Sequence, residues 1–186
     1  SLRWGNRLFC VTIIDHQHIW GNIMRHLFIA IAATFSFAGA AQACPDYTLW
    51  GTTTYNSSGD QLFSPRSFNI VAGGDNYLPD CGFSSDNVGY FPTTPDFSFD
   101  LSNMNGYRLE ISVLSNCDAA LLVNTADTQW FYDDDSNGQA DPRINLSDRQ
   151  VGNWVLDVWI GTYDGDYCDA TLTLETFQEH FLKELF

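Results

Sequence analysis

Basic residues are scarce in this chain: eight Lys or Arg stand against 23 Asp or Glu, a formal net charge of −15. A phosphate backbone has to be neutralised by cations, so the imbalance excludes nucleic acid as a partner and disfavours anionic lipid surfaces. Histidine is nearly as rare, and three of the four (His16, His18 and His26) lie near the start, leaving His180 alone in the rest of the chain. A serine or cysteine hydrolase needs a base beside its nucleophile. Between Cys44 and the tail there is no His and no GxSxG elbow, so no such triad assembles. Paired-carboxylate hydrolysis remains as the least favoured reading, because many acids are present but the pattern marks no pair. No apolar run reaches the roughly 20 residues that a membrane-spanning helix needs.

What is present at the N-terminus is a leader. From Met24, the basic pair Arg25 and His26 precedes an apolar run over 27–40, and Ala41, Gln42 and Ala43 form a small-x-small cleavage signal before Cys44. This predicts a helical secretory signal peptide over 24–43, with residues 1–23 an over-extended N-terminus. Acylation of Cys44 as a lipoprotein anchor is the lesser alternative: Ala41 stands where a bulky aliphatic residue is expected, and Gln42 and Pro45 fit poorly. The expected destination is the bacterial periplasm or the exterior. From Cys44 onward the chain carries 22 acidic and five basic residues, a net charge of −17, which favours cations or basic proteins.

Four cysteines remain after the leader, Cys44, Cys81, Cys117 and Cys168, and none is in CxxC spacing. An even number in an oxidising compartment predicts two disulfides. Three pairings are open; the preferred one keeps each bridge within one half of the chain, Cys44 with Cys81 and Cys117 with Cys168. Wide spacing and the lack of His argue against zinc.

Short β-rich runs punctuated by Gly, Asn, Asp, Ser and Pro recur from Cys44 to about residue 177, and this predicts an all-β sandwich domain over 44–177. The expected strands are 47–54, 67–72, 97–101, 108–114, 119–124, 129–132, 143–146, 154–161 and 170–176. In the eighth, Trp154, Leu156, Val158 and Ile160 form the expected inward set, with Val155, Asp157 and Trp159 outward. The tail 178–186 has apolar spacing, beginning at Phe177, that suits a short amphipathic helix. Irregular loops are expected at 72–76 and 81–95, and either could form a binding rim.

Two constellations stand out. Asp133, Asp135, Asn137, Gln139 and Asp141 place oxygen atoms around Gly138 at spacing able to wrap a calcium ion. A plain solvated turn explains them equally well, and Ile144 stands where a bidentate Glu would complete the loop. Asp164, Asp166 and Asp169 add carboxylates if the loops converge, and Arg143 is placed to clamp the acidic turn. The second constellation is aromatic: Trp130, Tyr132, Trp154, Trp159 and Tyr163. Trp159 and Tyr163 are the candidate ligand-facing residues, on which a polysaccharide could stack, although strand aromatics more often fill a core.

The segments 130–144 (WFYDDDSNGQADPRI) and 152–163 (GNWVLDVWIGTY) resemble the bacterial pre-peptidase C-terminal domain, the likeness running from about residue 95 to 174. The resemblance implies a jelly-roll-like sandwich without catalysis, acting in calcium-dependent stabilisation, secretion or substrate adhesion beside a peptidase. The functional expectation is therefore an exported accessory or adhesion domain with a protein partner. A carbohydrate-binding module is the alternative.

Overall fold

The computed structural model describes residues 43–138 and 140–179. The expected signal peptide and the segment before it, Gln139, and His180 with the end of the tail lie outside the described residues. Within them the chain is an all-β sandwich of two sheets. Four antiparallel strands form one sheet: β2 (Arg66–Ala72), β11 (Cys168–Gln178), β6 (Tyr107–Ser115) and β9 (Arg143–Leu146), in that order. The other has seven. There β1 (Thr53–Ser58) runs parallel to β5 (Phe97–Ser102), which pairs antiparallel with β10 (Trp154–Thr162). The opposite edge of β10 pairs with β7 (Ala119–Asn124), and β7 with β8 (Trp130–Asp133). Two short strands, β3 (Asn76–Tyr77) and β4 (Tyr90–Phe91), extend the sheet beyond β5 by pairing β4 to the end of β10 at Thr162.

Period-2 alternation builds the main core. Phe97, Phe99 and Leu101 of β5, Leu121 and Val123 of β7, and Leu156, Val158 and Ile160 of β10 face Leu109, Ile111 and Val113 of β6 and Leu172 and Leu174 of β11, all buried. A strand with one dry and one wet face keeps polar residues on the second, but β7 is buried at every position. The excursion from Asn76 to Phe91 folds back over the outer face of the seven-stranded sheet and creates a second, smaller core of Leu78, Phe91, Ala120, Leu122 and Trp159, with Phe83, Trp130 and Tyr132 packed against it. Gly161 permits this approach: a Cβ there would lie 2.5 Å from the Tyr90 carbonyl oxygen and 2.7 Å from the Phe91 ring.

Four expectations need correcting. The first strand begins at Thr53, not at residue 47, because Asp46 accepts hydrogen bonds from the amide and hydroxyl of Thr48 and winds 46–49 into a turn. Trp159 is fully buried under the excursion, so it is not a ligand-facing aromatic. Trp154, placed among the inward residues, is 74% exposed; its φ of +119° breaks the alternation at the mouth of β10. The tail helix does not start at Phe177, since Phe177 and Gln178 extend β11 opposite Arg108 and Tyr107.

Both disulfides join the expected partners, Cys44 to Cys81 and Cys117 to Cys168, with Cα separations of 5.5 and 6.2 Å. Disulfides of this kind persist in oxidising compartments. Among the described residues no helix is long and apolar enough to cross a membrane.

Candidate functional site

The residues singled out for calcium serve the turn itself. Asp133 accepts from the amide and hydroxyl of Ser136 and from the Arg143 amide. Asp141 is buried and accepts from the amide and hydroxyl of Ser115, while the Asn137 amide donates to the Val113 carbonyl. Arg143 does clamp the turn, but through the Ser136 carbonyl at 2.7 Å rather than through a carboxylate. Both oxygens of Asp133 and one of Asp141 are thus taken by donors of the chain. Among the described residues no group of three or more His, Cys, Asp or Glu is arranged to hold an ion. The loops do converge electrostatically, because burial and then the charges of Asp134, Asp135, Asp164 and Asp141 push the Asp118 carboxyl above its ordinary value. Tyr163 is 46% exposed and its backbone amide is bonded to the Asp118 carbonyl at that same end of the sandwich.

A different arrangement lies on the outer face of the seven-stranded sheet. The Cys44–Cys81 bridge and the bond from the Asp46 amide to the Thr93 carbonyl hold residues 44–51 across this face. Tyr47 packs edge-on against Trp130 with centroids 5.9 Å apart. At Gly51 the segment touches the sheet: its amide donates to Ser98 Oγ at 2.7 Å, and a Cβ there would meet Ser98 N at 2.5 Å. The Ser98 hydroxyl in turn donates to Asp157 Oδ1.

Between this segment and the turn joining β7 to β8 lies a cleft of about 270 Å³. Tyr47, Thr48, Leu49 and Trp50 form one wall, Thr125, Ala126 and Thr128 the other, and Asn124, Val155 and Asp157 the floor. Trp50 is 65% exposed, whereas Asn124, Thr125 and Asp157 are all at least nine-tenths buried. Asn124 and Asp157 are directly opposite each other on β7 and β10, and cross-strand partners project their side chains from the same face. Burial pushes the Asp157 carboxyl above its ordinary value, against the lowering effect of the Ser98 hydroxyl. The Asn124 amide nitrogen and the Thr125 hydroxyl, both buried, have no hydrogen-bond partner. A buried polar group without a partner costs roughly 1–3 kcal/mol, so three polar side chains side by side, two of them unpaired, make the floor of the cleft a costly part of the fold.

A larger depression of about 550 Å³ lies on the four-stranded sheet, lined by residues that include Asn69, Leu114, Asn116 and Thr171. It has no aromatic wall and none of the unpaired buried groups.

Sequence reasoning missed Tyr47, Trp50, Asn124 and Asp157 as site residues. A signal was there: Asp157 is a lone carboxylate inside the apolar run 155–160, and such a residue is seldom fully buried without a reason.

No protein-family model and no curated protein matches this chain. Among solved structures the chain is similar to PliG of Aeromonas hydrophila, a periplasmic lysozyme inhibitor of g-type lysozyme, at 10% identity and a TM-score of 0.39, covering 67% of this chain and 96% of that one.

Proposed function

We propose that this protein is a non-catalytic binding module, exported to an oxidising compartment, that engages a macromolecular partner through the cleft between residues 47–50 and the β7–β8 turn. The observation that carries this reading is the cleft itself, where an exposed Trp50 stands over polar side chains that are buried and incompletely paired. Pockets that bind ligands combine apolar walls with a few convergent polar groups in this way. Two disulfides support the exported setting.

The absence of catalysis is supported by the composition of the described residues, which include no histidine. Asp96 and Asp157, the most strongly buried of the shifted carboxyls, are each perturbed by burial and not by one another, so they do not act as a coupled acid–base pair of the kind that cleaves glycosides.

The test compares wild type with the Tyr47→Ala/Trp50→Ala double variant on an array of glycans and on a panel of purified extracellular proteins from acidic to basic. Partners held by wild type and lost by the variant are expected. Partners held equally by both would place the site elsewhere, and turnover of a nitrophenyl ester, a nitrophenyl glycoside or casein by the wild type would refute the non-catalytic part.

A further inference from the structure

Asp157 lines the cleft, and no Lys, Arg or His does. Its carboxyl stands on the side of the sheet that carries segment 44–51: Ser98 Oγ donates to Asp157 Oδ1 and accepts from the amide of Gly51, the neighbour of Trp50. Val155, two residues earlier on β10, lines the same cleft, as it must where alternate side chains share a face. The second carboxylate oxygen, Oδ2, accepts from no donor among the described residues. It is also not one of the unpaired atoms sealed from solvent, which are Asn124 Nδ2, Thr125 Oγ1 and Thr162 Oγ1. The small open part of this residue, 5% of its surface, therefore includes an acceptor without a donor.

A carboxylate held away from water without a counter-charge is costly, and no cation among the described residues offsets the burial of Asp157. An anionic occupant is repelled. A neutral donor satisfies Oδ2 but leaves the charge unbalanced, whereas a cation does both. The walls favour the same class, because aromatic faces attract cations, Trp most strongly, and a planar guanidinium stacks on them. Trp50 and Tyr47 are 65% and 44% exposed at the mouth. Asp127, exposed between Ala126 and Thr128 of the opposite wall, adds a second negative charge. At about 270 Å³ the cleft is smaller than the roughly 300–1,000 Å³ of sites for drug-sized ligands, and suits one side chain. Two features point to a cation carried on a protein rather than a free one. A chain of net charge −15 steers basic surfaces towards itself, and Leu49, 41% exposed beside Trp50, offers apolar contact that a free ion would not use. We infer that the cleft receives one arginine side chain of a basic protein partner, its guanidinium held between Trp50 and Asp157.

This rests on the reading of the cleft as the recognition site and supplies its partner class. Ser98 is the positioning residue, since it joins the carboxylate to the end of the aromatic wall.

The test is an NMR titration of the disulfide-bonded protein with capped Gly-Arg-Gly, with the same peptide carrying neutral citrulline in place of arginine, and with cellotetraose. The signals read are the Trp50 indole N–H and the Asp157 carboxyl carbon. The arginine peptide is expected to shift both, and the other two neither. Asp157→Asn, which keeps the shape and an acceptor for Ser98, is expected to weaken arginine binding about tenfold or more. Trp50→Ala, whose side chain is mostly exposed, is expected to weaken it about threefold, and Trp154→Ala, outside the cleft, to leave it unchanged. Equal binding of the citrulline peptide, arginine shifts that survive both Asp157→Asn and Trp50→Ala, or no arginine shift at all would overturn the assignment. Shifts with cellotetraose alone would overturn it while keeping the cleft as a recognition site. On the panel of extracellular proteins, the partners lost by the Tyr47→Ala/Trp50→Ala variant are expected to be basic. Loss of acidic partners alone would overturn the arginine reading and keep the cleft, whereas partners held equally by wild type and variant would sink both.

Discussion

Asp96 gives the sharpest handle on stability. It precedes β5, its carboxylate accepts from the Ile160 amide at 2.7 Å, and its surroundings push it from an ordinary 3.8 to about 7, burial outweighing that one hydrogen bond. Below about pH 4 the carboxyl is protonated in both folded and unfolded chains, so it contributes no difference. Above about pH 7 it is ionised in both, and the folded state bears the whole cost of holding a charge away from water. Between the two the folded chain retains a proton that the unfolded chain releases, and stability therefore falls as pH rises through this window. A difference of about three pH units corresponds to about 4 kcal/mol, and the exposed fraction of the residue reduces this to about 3 kcal/mol. Asp96→Asn keeps an acceptor for Ile160 and removes the titration. Urea unfolding followed by tryptophan fluorescence is expected to show the variant and wild type equal within about 1 kcal/mol near pH 4, and the variant more stable by about 3 kcal/mol near pH 8. The repulsion within so acidic a chain acts on both proteins alike, so the difference between them isolates Asp96. Parallel stability curves across the whole window would refute the reasoning.

Other substitutions test other features. Gly161→Ala forces a Cβ against the Tyr90 carbonyl and the Phe91 ring and is expected to lower stability by about 1–3 kcal/mol, read from the same urea transition. Trp154→Gly removes a side chain that is 74% exposed from a backbone held at φ +119°; relief of about 1 kcal/mol of strain should leave the melting temperature unchanged or raised. Replacing Cys44 and Cys81 with Ser opens a closure spanning 37 residues and is expected to cost about 4 kcal/mol on the chain-entropy account, measured by chemical denaturation. Millimolar calcium is expected to leave the melting temperature unmoved, since a resident site would raise it by mass action.

The strands that line the main core were legible because one of their faces is dry. The expected 67–72, 108–114 and 143–146 match β2, β6 and β9 to within about a residue, 119–124 matches β7 because its run is apolar throughout, and the two disulfides follow the half-by-half pairing. Errors arise where two faces are dry. Alternation in β10 shows which residues share a face but not that a distant excursion covers the second one, so the pattern alone puts Trp159 outward although Leu78 and Phe91 pack over it. β3 straddles the end of the expected loop 72–76 and β4 lies inside the expected loop 81–95, because two-residue strands have no period to detect. The cleft escaped for a related reason: Tyr47 and Trp50 meet Asn124 and Asp157 only after a disulfide and a turn bring residues far apart in sequence together.

The staple at Cys44 has a consequence for where the molecule can work. One wall of the cleft is a short stretch of chain with no strand of its own, tethered at its front end by sulfur and at its back end by the Gly51 contact. A reducing milieu would open both bridges, and at the cleft it would free the front tether and let Tyr47 and Trp50 swing away. The cleft would lose its aromatic wall together with the stability that the bridges contribute, so the proposed recognition needs an oxidising setting.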